Sequence, residues 1–172
     1  MPLLARLFNF AQWLAQDRSE AEDLVQETLM KALKGFDSFH QGTNFRAWIF
    51  RILRNTFLTS RAGLRAAAVS LDSDEEPSVE PVAGATPESI LLAMADQETI
   101  ARALEELPVA AREIILLCDV EEMSYQEIAL TLAIPVGTVM SRLSRARKAM
   151  RGLLSDGQMR MAGRGASRGT LQ

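Results

Sequence analysis

The residues best suited to a chemical role lie between Met123 and Met150, where helical spacing separates an apolar face from a polar and basic one. Ser124 and Glu127 form a Ser-x-x-Glu capping box that predicts the start of a short helix. Pro135 ends that helix near residue 133 and suits the first turn of the next one. In the second helix the inward positions are Val139, Leu143, Ala146 and Met150, and the outward ones are Ser141, Arg142, Ser144, Arg145 and Lys148.

Small hydroxyl and guanidinium side chains on an exposed helix suit the major groove of DNA, and a short capped helix before a basic one is typical of a helix-turn-helix. The alternative interpretation is an amphipathic surface helix with a solvated basic face. The formal net charge of −3 argues against nucleic acid, but the distribution of charge does not. Residues 44–65 carry five arginines and no acid, residues 66–97 seven acids and no base, and residues 142–168 seven arginines and one lysine against one acid. This pattern predicts two nucleic-acid contacts joined by an acidic linker.

The composition limits the class of protein. Hydrophobic residues make up 48% and charged residues 24%, as in ordinary globular proteins, and no apolar run is long enough for a membrane span. The single cysteine, Cys118, lies in the apolar run IILLC, which predicts a buried structural thiol. One cysteine and one histidine cannot build a usual zinc site. Since no membrane span, disulfide or zinc site is predicted, we expect a cytoplasmic protein without a metal. The sequence also lacks a glycine-rich phosphate loop and a nucleophile–histidine pair, so we expect no enzymatic activity, and no cofactor or small-molecule ligand is evident.

The fold class expected from the pattern is all-α, with two small helical domains. Helices are predicted at about 3–16, 20–34 and 44–60, then from about 86 to 107, followed by one that Pro108 opens and by the helix-turn-helix. A second capping box, Ser19 and Glu22, predicts the start of the helix at 20–34, and Gly35 its left-handed end. The domain boundaries are 1–65, an acidic flexible linker at 66–86, a four-helix unit at 87–155 and a disordered basic tail at 156–172.

The buried stripes of the first three helices follow from helical spacing. They are Leu4, Leu7, Phe8, Ala11, Leu14 and Ala15; then Leu24, Val25, Thr28, Leu29, Ala32 and Leu33; then Phe45, Trp48, Ile49, Ile52 and Leu53. Asp23, Gln26, Glu27 and Met30 are left exposed.

Three segments in order resemble the extracytoplasmic-function (ECF) sigma factors of the sigma-70 family. They are DRSEAEDLVQETLMKAL (17–33) and FDSFHQGTNFRAWIFRILRN (36–55), similar to sigma domain 2, and the series from LPVAAREIILL to IPVGTVMSRLSRARKAM (107–150), similar to sigma domain 4. Family members begin with a further helix. Only two residues precede the first helix here, so the resemblance implies a domain 2 without its first helix.

The resemblance implies an alternative sigma factor, which binds core RNA polymerase and directs initiation by reading the −10 and −35 elements of promoter DNA. It also implies a cognate anti-sigma factor. Two other functions stay open. One is a free-standing helix-turn-helix regulator that binds operators as a dimer, which leaves residues 17–55 unexplained. The other is a sigma-like decoy for an anti-sigma factor, which has no need of DNA contacts.

The resemblance also assigns residues to roles. Those matching the polymerase-binding face are Asp23, Gln26 and Glu27; the alternative is an ordinary solvated face. The −10 surface comprises a base-capturing loop with Phe39, His40 and Gln41, the neighbouring Asn55, Thr59 and Arg61, the phosphate contacts Arg46, Arg51 and Arg54, and Trp48 as a strand-separating wedge. Trp48 can equally be a core residue, and His40 a plain loop histidine.

The −35 surface comprises Thr138, Met140, Ser141, Ser144 and Arg145 toward bases and Arg142, Arg147 and Lys148 toward phosphates. Position 140 is often basic in the family, so Met140 is a departure.

Overall fold

The computed structural model describes residues 2–40, 42–67 and 97–166, with side chains described at 2–40, 42–62 and 97–155. All regular structure within these ranges is helical, as the sequence predicts. The N-terminal half contains α1 (Leu3–Ala15), α2 (Arg18–Lys34), a 3₁₀ turn (Phe36–Ser38) and α3 (Phe45–Ala67). The C-terminal half contains α4 (Gln97–Glu106), α5 (Val109–Ile115), a π-helical turn (Leu116–Val120), α6 (Tyr125–Leu132) and α7 (Val136–Ala166).

The ends of α2 differ from the sequence prediction. Asp17 rather than Ser19 caps the helix, with its Oδ1 accepting from the Glu20 backbone N–H at 2.8 Å. An aspartate is as good a cap as a serine and begins the helix earlier in the chain. Gly35 has φ −95° and is not left-handed. The chain winds directly into the 3₁₀ turn, so no reversal is required there.

The N-terminal core is formed where α1, α2 and α3 pack together. Leu7, Leu14, Leu24 and Leu53 are buried as expected. Three predicted core residues are instead exposed, namely Leu4 at 54%, Leu33 at 77% and Phe45 at 37%. Three phenylalanines that the pattern did not place in the core are buried instead. They are Phe10, Phe50 and Phe57, and none is more than 3% exposed. Because α3 is covered on more than one side, its buried surface is broader than a single stripe.

The second cover of α3 comes from the C-terminal half, since α3 packs along α6 and α1 packs against α5. Thr131 of α6 is fully buried, and its hydroxyl lies 3.4 Å from the carbonyl oxygen of Ala47. Arg112 of α5 is buried and donates to the carbonyls of Leu104 and Leu107 in its own half and to that of Trp13 in α1, at 2.7, 2.9 and 2.8 Å. The two halves therefore share one polar and apolar interface. The sequence pattern, read as two separate modules, did not predict it.

The remaining boundary predictions concern the linker and the tail. Residues 66 and 67 belong to α3, and 68–96, with the rest of the predicted linker and the start of the predicted helix at 86, lie outside the described residues. The prediction of a disordered tail from 156 is wrong for its first part, because α7 continues to Ala166. Gln158, Met159, Arg160 and Met161 are good helix formers, and a helix already begun extends readily through them.

Candidate nucleic-acid and polymerase interfaces

The turn between α6 and α7 has the geometry of a helix-turn-helix. The capping box is complete: the Ser124 backbone N–H donates to the Glu127 carboxylate at 2.6 Å, and the Glu127 N–H donates to the Ser124 hydroxyl at 3.3 Å. The hydrogen bond from the Ser124 backbone lowers the pKa of Glu127. Ala133 ends α6 in the left-handed conformation at φ 55°, and α7 then begins directly after Pro135. The predicted capping box of Ser124 and Glu127 and the turn at Pro135 are confirmed.

One face of α7 is buried and the opposite face is polar and basic. Val139, Leu143, Ala146 and Met150 are each at most 3% exposed and belong to the core. The predicted −35 residues fall on the rest of the helix. Met140, Ser144, Arg145 and Lys148 are exposed, and Thr138, Ser141, Arg142 and Arg147 are half-buried. This is the arrangement that presents side chains to a DNA groove while the helix stays anchored.

Arg147 has a structural partner in addition to its predicted phosphate role. Its guanidinium donates to both carboxylate oxygens of Asp119, at 2.5 and 3.3 Å. The side-chain hydrogen bond from Arg147 to Asp119 raises the pKa of Arg147. Asp119 lies in the π-helical turn, so this pair fixes α7 against the element that precedes the helix-turn-helix.

Four aromatic side chains gather beside the predicted base-capturing loop. The ring centroid of Phe39 lies 5.2 Å from that of Trp48 and 5.4 Å from that of Phe45, and Phe36 lies 6.0 Å from Phe39. Phe36 is 54% exposed, and Trp48 is half-buried. The sequence assigned Phe39 and Trp48 to this site but not Phe36 and Phe45. The signal was available, because all four lie within thirteen positions of one another and flank the same loop. Stacked and edge-on rings form a platform suited to an unpaired base.

The polar residues of the loop and of α3 complete this region. His40 is exposed, with Nδ1 3.1 Å from the carbonyl oxygen of Ser38, and Gln41 lies outside the described residues. Asn55 and Thr59 are exposed on α3 one turn apart, where the Thr59 hydroxyl donates to the Asn55 carbonyl at 2.8 Å. Arg61 lies over the ring of Phe57 at 5.3 Å.

The three arginines of α3 predicted to contact phosphates differ in whether their side chains are exposed or paired within the protein. Arg51 is exposed. Arg54 forms two hydrogen bonds to the Glu113 carboxylate, and Arg46 donates to the backbone carbonyl of Glu121. The structure therefore places two of these arginines against acidic residues of the C-terminal half, which the sequence pattern did not predict.

The polymerase-binding residues predicted on α2 lie together on an exposed face. Asp23, Gln26 and Glu27 are all exposed, and Glu27 forms an ion pair with Lys31 at 2.7 Å. The exposed apolar side chains of Met30, at 57%, and Leu33, at 77%, continue this helix toward its C-terminal end. An acidic surface followed by uncovered apolar side chains is suited to a protein partner.

Two kinds of site are absent from the part of the chain that the structure describes. No cluster of three or more histidine, cysteine, aspartate or glutamate side chains is arranged to hold a metal ion there. No described helix has the length and apolarity that crossing a membrane requires.

Comparison with known families and proteins agrees with this arrangement. Residues 1–66 match the family Sigma-70 region 2, and residues 97–150 match Sigma-70, region 4. The ECF RNA polymerase sigma factor SigE of Mycolicibacterium smegmatis is 35% identical over 153 residues, which is 87% of this chain and 58% of that protein. EcfG of Rhodopseudomonas palustris, also an ECF RNA polymerase sigma factor, is 36% identical over 145 residues, covering 84% of this chain and 77% of that protein.

Solved structures show the same fold. The sigma factor RpoE of Bartonella quintana, in complex with the anti-sigma factor NepR, superposes with a TM-score of 0.66 at 34% identity, covering 89% of this chain and 92% of that one. CnrH, in complex with the cytosolic domain of CnrY, superposes with a TM-score of 0.62 at 28% identity, covering 88% of this chain and 82% of that one.

The chain thus belongs to the sigma-70 family of transcription initiation factors. Within that family it is an ECF sigma factor.

Proposed function

We propose that this chain acts in the cytoplasm as a subunit of RNA polymerase holoenzyme, binding core polymerase with α2 and reading the −10 and −35 promoter elements with the α3 region and α7. The observation that carries the proposal is the pairing, in one chain of this family, of a basic helix-turn-helix face with an aromatic platform beside a second basic helix. The role is one of binding and positioning, with the chemistry of RNA synthesis left to the polymerase.

The −10 function rests on the aromatic platform formed by Phe36, Phe39, Phe45 and Trp48. Pulling a base out of the duplex costs a few kcal/mol, and stacking on an aromatic ring returns about 1–3 kcal/mol per base. His40 and Asn55 are exposed and add hydrogen-bonding groups. Arg51 offers an exposed charge to the phosphate backbone without rearrangement.

The −35 function rests on the exposed positions of α7. A guanidinium such as that of Arg145 can form a bidentate contact to guanine, and a hydroxyl such as that of Ser144 can contact either base of a pair. Met140 is 55% exposed and carries no hydrogen-bonding group. It therefore favours contact with a thymine methyl group or readout of DNA shape at the position where relatives often have a basic side chain.

The polymerase-binding function rests on the exposed acids of α2 with the adjacent Met30 and Leu33. We expect this acidic face to pair with a basic surface of core polymerase. Asp23→Arg reverses one charge on the face and is expected to weaken binding by at least about tenfold, because the arginine would meet like charge there. Glu98→Arg, on the exposed side of α4, is the matched control. If both variants weaken binding to core polymerase equally, α2 does not form part of the interface.

The experiment that tests the function as a whole is run-off transcription with purified core RNA polymerase, with and without the chain, on a pool of native promoters. Specific initiation that requires the chain is the expected result and delivers the promoter sequence. Binding to core without initiation would favour a decoy for an anti-sigma factor. DNA binding without any binding to core would favour an operator-binding regulator.

We also propose a cognate anti-sigma factor as a partner, since the similar sigma factor RpoE of Bartonella quintana was solved in complex with the anti-sigma factor NepR. The test is recovery of a tagged chain from its own cells, followed by addition of the co-purified protein to the run-off reaction. An anti-sigma factor abolishes initiation when added before core, and a bystander leaves it unchanged.

A further inference from the structure

The π-helical turn and the residue after it present two carboxylates to arginines, and the two carboxylates differ in exposure. Glu121 accepts from Nε of Arg6 at 2.7 Å, and the Glu121 side chain is 4% exposed. Asp119 accepts from Arg147 of α7, and the Asp119 side chain is 26% exposed and that of Arg147 28%. The Glu121 carboxylate is therefore enclosed by protein, whereas the pair of Asp119 and Arg147 is within reach of a molecule that approaches α7 from solvent.

Asp119 holds the guanidinium of Arg147 by one edge. Arg147 donates from Nη2 to Oδ1 at 2.5 Å and from Nε to Oδ2 at 3.3 Å. Nη2 also lies 3.7 Å from the sulfur of Cys118, which precedes Asp119 in the same turn. Two hydrogen bonds from a planar guanidinium to a carboxylate fix its orientation as well as its distance. Nη1, at the other edge of the guanidinium, takes no part in the pair with Asp119.

Arg147 continues a row of α7 side chains that is predicted to contact the −35 element. Positions 140, 144 and 147 are spaced four and three residues apart, which places them on one face of a helix. Met140 and Ser144 are exposed on this face. The Asp119 carboxylate comes from a different element and lies beside the C-terminal end of the row.

An acid beside a row of DNA contacts has two opposing effects on binding. Its charge repels phosphates, so its removal strengthens binding when charge alone matters. Its hydrogen bonds hold a long, flexible side chain in one conformation before DNA arrives, which avoids an ordering cost on binding. Because salt screens a partly exposed charge over about 8 Å at physiological ionic strength, we expect the ordering effect to be the larger.

We propose that Asp119 is a positioning residue for promoter binding, which orders the Arg147 guanidinium for contact with a DNA phosphate at the −35 element. This inference rests on the proposed −35 role of α7. A guanidinium that is already ordered makes the contact without the loss of side-chain entropy that a mobile arginine undergoes. The location of Asp119 supports the assignment, since π-helical turns are frequent at functional sites.

The main test compares Asp119→Asn with Glu122→Gln in the full chain. Each change removes one carboxylate charge without altering the size of the side chain, and Glu122 is exposed three positions further along. The probe is a fluorescent DNA duplex of mixed sequence, titrated in fluorescence anisotropy over a series of salt concentrations. A mixed sequence is sufficient because a phosphate contact requires no particular base.

Asp119→Asn is expected to weaken binding about threefold to tenfold, although it removes a negative charge. It is also expected to lower the slope of log affinity against log salt concentration by about one, which is the share of one phosphate contact. Glu122→Gln is expected to bind at least as tightly as the parent, with an unchanged slope.

A double-mutant cycle with Arg147→Ala separates positioning from a general structural role. Arg147→Ala is expected to lower the slope by the same amount, and adding Asp119→Asn to it should cause no further loss of affinity, since both residues act through one contact. Nitrogen relaxation of the arginine Nε–H groups gives a second readout in the free chain. The Arg147 signal is identified by its absence from Arg147→Ala, and it is expected to lose order in Asp119→Asn.

Circular dichroism first establishes that each variant keeps its helix content, and Asp119→Ser takes the place of Asp119→Asn if the latter does not fold. Tighter binding by the Asp119 variant, or weaker binding without a change in slope, would overturn the proposal. Additive losses in the double variant, or a parent chain that does not bind the duplex, would overturn it as well.

Run-off transcription keeps this inference apart from the proposed function. Initiation by a parent chain whose Asp119→Asn variant keeps its slope leaves the sigma function intact and rejects the positioning role. A slope that depends on Asp119 in a chain that never initiates establishes the positioning of Arg147 for DNA and rejects the sigma function.

Discussion

Arg54 and Glu113 lie 59 positions apart in the sequence, and their side chains meet in a two-pronged ion pair between α3 and α5. The Arg54 side chain is 17% exposed and that of Glu113 is 3% exposed. Two parallel hydrogen bonds from a guanidinium to a carboxylate fix both distance and orientation. This pair therefore fixes α3, which carries the predicted −10 contacts, against α5 of the C-terminal half.

Arg54→Ala is expected to lower the free energy of unfolding by about 3 kcal/mol, because it strands a buried carboxylate. Urea unfolding followed by circular dichroism measures the loss. Arg51→Ala, on the same helix but exposed, is the control and is expected to change stability by less than about 0.5 kcal/mol. Equal losses would show that the ion pair adds nothing beyond the packing of α3.

Ala133→Gly is expected to stabilise the protein by about 0.5 kcal/mol, since Ala133 holds φ 55° and glycine takes this conformation without a Cβ penalty. The same substitution at Ala149, an exposed position inside α7, is expected to destabilise by about 0.5–1 kcal/mol. Thermal melts of the two variants should therefore shift in opposite directions. Shifts of the same sign would contradict the assigned left-handed turn.

The Cys118 thiol is expected to react slowly. Burial, with a further contribution from the Asp119 carboxylate, raises its pKa from 9.0 to about 11. At pH 8 this lowers the thiolate fraction, and hence the rate of alkylation by iodoacetamide, roughly 100-fold below that of the urea-unfolded chain. A rate equal to that of the unfolded chain would show an accessible thiolate.

The same shift makes stability depend on pH in a defined direction. Between pH 9 and 11 the unfolded chain has lost the thiol proton while the folded chain keeps it, so stability falls as pH rises through this window. Comparison with Cys118→Ala isolates the effect from other titrating groups. The difference in stability between parent and variant should be constant below pH 8 and should shrink or reverse sign above pH 9. A constant difference up to pH 11 would contradict the raised pKa.

Arg145→Ala is expected to weaken binding of holoenzyme to promoter DNA by about 1–3 kcal/mol and to relax preference at one base pair of the −35 element. Binding to a set of singly substituted −35 sequences measures both effects. Arg102→Ala, exposed on α4, is the control. Uniform weakening across all sequences would make Arg145 a phosphate contact instead.

The helix-turn-helix was accessible from sequence because its signals are local. Ser124, Glu127 and Pro135 each act on backbone groups within about one helical turn. The apolar residues from Val139 to Met150 recur at helical spacing. Leu33 was placed in the core by the same rule and is 77% exposed, because spacing identifies a face but not whether another element covers it. Conversely, Phe50 and Phe57 are buried where α3 is enclosed by several helices.

The interface between the halves was not predictable from either half alone. Arg46 and Arg54 resemble phosphate contacts in any local reading, and only the three-dimensional arrangement brings them to Glu121 and Glu113. Ion pairs between residues many positions apart leave no periodic signal in the sequence. Asp23, Arg54 and Arg145 therefore belong to three different helices of one molecule, and Arg54 is engaged by a glutamate of the protein itself.

The π-helical turn at Leu116–Val120 bears on how this chain tolerates insertions and deletions. The Glu121 backbone N–H donates to the Leu116 carbonyl five residues earlier, at 2.8 Å, so the turn holds one residue more than an α-helical turn. Deleting one residue here would restore ordinary α-helical winding and rotate α6 and α7 by about 100° about the axis relative to α5. Asp119 and Glu121 would then lose alignment with Arg147 and Arg6. A change in length of one residue at this point would thus disturb the C-terminal core, where α5 packs on α7, together with the contacts between the two halves.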